Sequence, residues 1–379
     1  MIYLDNAATS WPKPPAVKRA VLEALDEAGN PGRSGHALAL ASARRVLAAR
    51  EALAQLLGAP DPARIALTAN ATGALNLAIT GLLRPGDRVV TTAVEHNSVM
   101  RPLRALQHQG VELEVVRCSP DGRVDPADVA RALRKKTRLL VATHASNVLG
   151  AIQPVNELGR LAREAGTLFL VDASQTAGAL EIDLASLPVD LLAFTGHKAL
   201  LGPQGTGGLY LREGLELEPL TRGGTGSASE LEEQPEFAPD RYESGTPNVP
   251  GLAGLAAAAE YLVAHGVAAV RTREVALTER FLAGLREIPG VVVYGPAEAT
   301  ARTGLVSLNL RGVSSSMLSQ ALEEGFGVLT RAGLHCAPAA HRTAGTYPDG
   351  SVRFSFGAAS TSADVDGALE ALRTLAAHL

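Results

Sequence analysis

The sequence predicts an α/β protein with a large domain on a mostly parallel seven-stranded sheet, followed by a smaller α/β domain. Three observations predict it. From about Arg64 to Leu211 short β-type runs alternate with helical stretches, the order of a parallel sheet covered on both faces. From Gly223 to Pro250 the chain reads GGTGSASELEEQPEFAPDRYESGTPNVP, a long loop rich in Gly, Pro, Ser and acids. Beyond it a second strand and helix order begins, with its own apolar runs.

The strands of the first block are RIALT, RVVTTAV, VELEVVR, RLLVATH, TLFLVD, DLLAFT and GGLYL. β-branched and aromatic residues favour a pleated surface, and Gly, Pro or Asn closes most of these runs. Thr72 to Leu83, Ser98 to Gln109, Pro126 to Lys135 and Val155 to Ala165 read as the intervening helices. In the second block Gly251 to Ala264 and Val270 to Glu287 are helical. VVVYG, GLVSLNL, GVLTR and SVRFSFG follow as strands, a helix near Ser316 to Glu324 lies between them, and a last helix runs from Ser362 to Leu379. The strand-like IYLDNA at the N-terminus is expected to join this second block. The expected domains are therefore 16–250, and 1–15 together with 251–379.

Composition narrows the function. The 379 residues are 46% hydrophobic and 20% charged, which describes a globular chain able to bury a large core. The formal net charge of -4 and scattered basic residues give no field for nucleic acid. No charged leader precedes a long apolar run, so a cytoplasmic protein without a signal peptide is expected. Ile65 to Leu83 is uncharged, yet its Asn70, Asn76, threonines and glycines argue against a bilayer span. The two cysteines, Cys118 and Cys336, form no C-x-x-C pair for zinc or redox work, and no metal is expected.

The chemistry concentrates between Phe169 and Gly208. There FLVD would deliver Asp172 to a sheet edge, and Lys198 sits in a tight turn flanked by Thr195, His197 and Gly-Pro-Gln-Gly. An Asp able to pair with a protonated pyridine nitrogen and a Lys able to carry a Schiff base are what pyridoxal phosphate requires. The turn before the helix at Thr72 would offer the Thr72 hydroxyl and the Gly73 N–H to a phosphate. The helix terminus would add about 0.3–1 kcal/mol. The plainer reading makes Thr72 only a helix cap. His96 follows the second strand at the edge where α/β sheets place ligands, suited to stacking on the ring and moving protons. Asn147 and Gln175 occupy the same edge as hydrogen-bond donors to a ring oxygen; as turn residues they are unremarked.

Cys336 lies in a Gly- and Pro-punctuated stretch with His335, His341, Arg331 and Arg342 nearby. If exposed, so electropositive a loop would favour a thiolate. Cys118, directly after a strand, reads as a small buried hydrophobe. Arg353 can clamp a carboxylate or form a structural salt bridge.

Taken in order, YLDNAAT, EHNS, SNVLG, DASQT, TGHK, RAGLHCAP and RFSFG resemble the cysteine desulfurases, class V members of the fold type I pyridoxal-phosphate enzymes. The spacing from Arg331 to Cys336 is similar to the Suf-type subgroup. The resemblance implies that Lys198 holds the cofactor, Asp172 pairs with its ring nitrogen, Gln175 and Asn147 adjoin its ring oxygen, and His96 stacks on it. It also implies that Thr72, Gly73, Thr195 and His197 cradle the phosphate, with Thr246 contributed by the second subunit of a homodimer. Arg353, with Arg331 and Asn147, would bind the substrate carboxylate, and Cys336 would accept the sulfur. The implied reaction turns L-cysteine into L-alanine and leaves a persulfide on Cys336 for an acceptor protein of sulfur or iron–sulfur cluster metabolism. A selenocysteine lyase or another class V aminotransferase is the alternative. The chain starts almost at the YLDNAAT strand, and NPGRSGHALAL around His36 matches only loosely, leaving His36 a candidate without a role.

Overall fold

The computed structural model describes residues 1–27, 29–32 and 34–378. Strand β1 (Ile2–Tyr3) precedes helices α1 (Pro15–Asp26) and α2 (Ala37–Leu57). Alternation then sets in: β2 (Ile65–Thr68), α3 (Ala71–Leu82), β3 (Arg88–Thr92), α4 (Asn97–Gln107), β4 (Glu112–Val116), α5 (Pro126–Ala132), β5 (Leu139–Thr143), α6 (Val155–Glu164), β6 (Leu168–Asp172), β7 (Leu191–Thr195) and β8 (Gly207–Leu211). After the long loop come α7 (Val249–His265), α8 (Val267–Leu285), β9 (Val291–Tyr294), β10 (Leu305–Leu310), α9 (Ser315–Phe326), β11 (Val328–Leu329), β12 (Arg331–Gly333), α10 (Pro338–Ala344), β13 (Ser351–Ser355) and α11 (Ser362–Ala377).

The seven expected strands form one sheet in the order β2-β8-β7-β6-β5-β3-β4. Only β8 runs against its neighbours, so the sheet is mostly parallel. Its central strands are buried along their whole length, which is why they read as continuous apolar runs instead of alternating ones. The C-terminal ends of β3, β5, β6 and β7 point to one edge. Gly207 lets the start of α3 approach that edge closely, because a Cβ there would lie 2.9 Å from the Asn70 backbone.

The second sheet is antiparallel, in the order β12-β13-β10-β9, and packs on α8 and α11 around Phe281 and Phe354. GVLTR, expected as one strand, divides between two sheets: β11 pairs with β1, whereas β12 pairs with β13. Leu4 joins the core of this second unit.

Three helices were not anticipated. Both α1 and α2 lie in 15–57, where Ala-rich segments such as ALALASARRVLAAREALAQLL give little contrast between faces, and α10 lies in the stretch after Cys336. The helix α7 packs on α1 and α2, and its Leu252, Leu255, Ala258 and Leu262 enter the core of the large sheet. The loop before α7 thus leads back onto the large sheet.

Arg302 joins the two units. Fully buried, it donates from Nη2 to the carbonyls of Leu149 and Tyr294, from Nη1 to Pro296 and from Nε to Leu305. Burial pushes its pKa down to about 10. Arg302→Met keeps the length of the side chain but strands these carbonyls, and is expected to cost roughly 3 kcal/mol in a urea titration. An unchanged midpoint would show that the guanidinium is dispensable.

Candidate active site

Lys198 follows β7 in a turn that the N-terminal segment clamps from outside. Four donors converge on the carbonyl of His197, one residue before it: Ser10 N at 2.9 Å, Lys13 Nζ at 2.9 Å, Thr9 Oγ1 at 3.1 Å and Ser10 Oγ at 3.3 Å. The peptide that carries Lys198 is thus held in place by residues nearly two hundred positions away. Lys198 keeps some contact with solvent, but the dense protein around its ammonium pushes its pKa down to about 8. Arg353 and Arg331 push the same way, against Asp172 and Cys336.

The cavity in front of Lys198 is lined from the sheet edge by Asn147, Asp172, Thr195 and their neighbours. Asp172, at the end of β6, is buried and accepts from the Ser174 N–H and hydroxyl. Thr195, at the end of β7, is buried with its hydroxyl unpaired, and His197 Nδ1 is likewise without a partner. Unpaired buried polar atoms facing one cavity are costly unless a ligand meets them.

Thr72 and Gly73 enter from the start of α3. The cap is Asn70, whose side chain accepts from Gly73 N at 2.9 Å, so neither reading of the turn holds in full. The Gly73 N–H, expected to face a phosphate, is spent on the cap. Thr72 is not the cap, and its Oγ1 lies 2.8 Å from Ser98 Oγ. Thr72, Ser98, Thr195 and His197 all line the cavity, so Ser98 is a hydroxyl that sequence reasoning missed. Its signal was its place in EHNS, in the first turn of a new helix.

His96 caps α4, its Nδ1 accepting from Ser98 N at 3.0 Å. That bond puts the proton of the neutral ring on Nε2. Burial lowers its pKa to about 4, and Lys198, Arg331 and Arg101 add to the effect against Asp172. Beside it Glu95 is fully buried, accepts from Thr92 Oγ1 at 2.6 Å and Thr143 N at 2.9 Å, and is pushed up to about 8 by desolvation.

Both amide side chains are partly committed. Asn147 Nδ2 donates to the His335 carbonyl at 2.7 Å, and Gln175 Nε2 to the Ala7 carbonyl at 3.1 Å, leaving each amide one further N–H. Arg353 realises the salt-bridge reading: Nη2 bonds Asp5 at 2.9 Å, Nη1 bonds the Asn147 carbonyl at 3.0 Å, and Nε is buried and unpaired. Arg331 lies directly opposite it in the sheet register.

Cys336 is exposed, and both it and His335 adopt left-handed backbone conformations, φ 58° and 48°. Neither carbonyl is free, since the Asn97 N–H donates to Cys336 O at 2.8 Å. His335 and His341 do not make the loop electropositive as expected. Both are buried, and desolvation lowers them to about 2 and about 4, so the fixed charges are Arg331 and Arg342. Cys118 is half-buried with its pKa raised to about 11 by burial, in keeping with an inert thiol. Thr246 does not line the Lys198 cavity of its own chain; it borders a separate groove with Thr68 and Gly245. His36 caps α2, its Nδ1 accepting from Ala39 N.

Fold and site define an α/β enzyme with a desolvated lysine at the C-terminal edge of a mostly parallel sheet. The aminotransferase class-V family matches residues 2–367. A probable cysteine desulfurase of Methanothermobacter thermautotrophicus is 36% identical over 99% of this chain and 94% of its own length. One of Pyrococcus abyssi is 35% identical over 100% and 95%. The apo cysteine desulfurase of Thermococcus onnurineus superimposes with a TM-score of 0.93 at 34% identity, covering 100% of this chain and 95% of that one. The chain belongs to the class-V aminotransferases, among their cysteine desulfurases.

Because Lys198 titrates near 8, its methylation by formaldehyde and a hydride donor should rise through that pH in protein free of added ligand. Ordinary surface lysines titrate near ~10.4. Arg331→Ala removes one of the depressing cations and should move the midpoint upward. Coincidence of Lys198 with the surface lysines would refute the desolvated environment.

Proposed function

We propose that the chain is a pyridoxal-phosphate enzyme that removes sulfur from L-cysteine, releases L-alanine and stores the sulfur as a persulfide on Cys336. The observation that carries this reading is the pairing of a desolvated Lys198 with an exposed Cys336 close enough to influence its titration. The residues fit the cofactor: Thr195 Oγ1 and His197 Nδ1 are buried donors or acceptors without partners, and Thr72 and Ser98 add hydroxyls at a helix start. Lys198 would hold it, Asp172 would face its ring nitrogen, and the remaining N–H groups of Asn147 and Gln175 would serve its ring oxygen. When bound, pyridoxal phosphate supplies an electron sink for bonds at the substrate's α-carbon.

The chain's own groups do the rest. Lys198, about half neutral near pH 8, can take and return a proton at Nζ. His96 presents Nε2–H as a neutral donor instead of a cation, so it does not take up the Asp172 carboxylate as an ion-pair partner. Arg353 Nε, with Arg331 across the ladder, meets the substrate carboxylate. The Cys336 thiolate takes the substrate sulfur: its S–S bond forms as the Cβ–S bond breaks, and the freed carbon gains a proton to become the methyl of alanine.

Thr246 and the exposed Leu22, Leu25, Leu40 and Leu47 support a homodimer in which Thr246 serves the phosphate site of the second copy. The acceptor of the sulfur is a protein of sulfur or iron–sulfur cluster metabolism, in keeping with a cytoplasmic location. Among the described residues no single helix is long and apolar enough to cross a membrane.

The loaded enzyme, given L-cysteine and a reductant, should form alanine and sulfide, and Cys336→Ala should abolish both. Retention of both by that variant would favour a lyase or aminotransferase acting without the thiol; paired assays with selenocysteine separate those two. His96→Ala should lower the turnover roughly 10²- to 10⁴-fold. A turnover within a few-fold of the parent would remove His96 from the proton transfers.

A further inference from the structure

A groove of about 600 Å³ opens beside the Cys336 loop, outside the Lys198 cavity. Its walls are α4 and α10, and one edge is the end of β4. The side chains follow from helical and strand periodicity: Asn97, Met100, Arg101 and Arg104 recur on one face of α4, and Val115 in β4 and Arg117, just past its end, fall on one side of the chain. Arg342 and Thr343 come from α10, which Thr343 Oγ1 ties to the Ala93 carbonyl at 3.1 Å.

The charges in this groove have one sign. Arg101, Arg104, Arg117 and Arg342 are exposed, and among the described residues none of them forms an ion pair with a carboxylate. Arg104 bonds Gln107, and Arg342 lies over the Tyr347 ring at 4.3 Å. The acids of β4 alternate away: Glu112 and Glu114 are on the opposite face, both bound to Arg88. Under the arginines the floor is apolar, formed by Ala93, Met100, Val115 and Ala339. A chain of net charge -4 thus concentrates four unpaired guanidiniums around one apolar floor. The groove is continuous with the nucleophile, because the first residue of α4 donates to the Cys336 carbonyl and α10 begins two residues later. It also flanks β4, whereas Thr246 lies near β2, at the other edge of the sheet. A second copy seated over Thr246 would leave it open.

We infer that this groove docks an acidic segment of the protein that receives the sulfur, its carboxylates on the arginines and its apolar side chains on the floor, with its cysteine reaching Cys336. This inference rests on the persulfide chemistry proposed above. In the transfer the acceptor thiolate attacks the outer sulfur of the Cys336 persulfide. The S–S bond breaks, the outer sulfur leaves on the acceptor, and the Cys336 thiolate is restored, so no oxidant is needed.

Two synthetic peptides of equal length test it, each with one cysteine and the same leucines, one carrying glutamates where the other carries lysines. Binding to the loaded enzyme is read by fluorescence anisotropy, and sulfur transfer is read separately against dithiothreitol as a small acceptor. The acidic peptide should bind roughly tenfold or more tightly than the basic one, and molar salt should erase the difference. Arg104→Glu with Arg117→Glu should erase it as well, while alanine formation with dithiothreitol stays at the parent level. Equal binding of the two peptides, or preference retained in the double variant, overturns the inference. So does a single-stranded oligonucleotide that binds more tightly than the acidic peptide and is lost in the same variant. If no alanine forms with dithiothreitol, the proposed reaction fails, and the anisotropy measurement alone decides the groove.

Discussion

The site depends on one buried guanidinium. Arg353 sits in the middle of the antiparallel sheet and reaches the N-terminal segment through Asp5 and the large sheet through the Asn147 carbonyl. Burying a cation at 1% exposure is tolerable only because those partners are fixed, and each of them carries a neighbour of Lys198. Asp5 begins the segment whose Thr9, Ser10 and Lys13 hold the His197 carbonyl; Asn147 holds the carbonyl before Cys336. Three remote stretches of chain therefore meet at one charge, and the lysine and the cysteine inherit their separation from it.

The same burial determines which groups around the site are charged at neutral pH. His96, His144, His197, His335 and His341 are all pushed down to about 4 or lower, so the imidazoles are neutral. Glu95 is pushed up to about 8 and is protonated over most of the physiological range. What remains is Lys198 close to its own midpoint, with the Arg331 and Arg353 guanidiniums near it. A neutral histidine beside a partly neutral amine allows proton movement without building a second cation in a crowded space.

Much of this was legible in the chain. The central strands of the large sheet were readable because a fully buried strand is an uninterrupted apolar run, and Asp172 and Thr195 end two such runs. The site residues at strand ends were found for that reason. The misses have physical causes. α2 is rich in alanine on every face, so it shows no stripe. Which residue caps α3 could not be read, since Asn70 and Thr72 both suit the role. The four donors on the His197 carbonyl, and the neutrality of His335, arise from contacts between segments far apart in sequence, which no local pattern encodes.

The left-handed pair His335–Cys336 bears on timing. Left-handed backbone costs a non-glycine residue about 1–2 kcal/mol, and here the carbonyls of both residues are anchored, one by Asn147 and the other by the Asn97 N–H. With the main chain pinned, the freedom left to the sulfur-bearing atom is rotation about its own side-chain bonds. Such rotations in exposed residues take picoseconds to nanoseconds, against microseconds or longer for loop excursions. On the proposed reaction, the arm that would carry the sulfur between an inner and an outer position is then not the slow member of the cycle, which would wait on bond making or on the arrival of the acceptor.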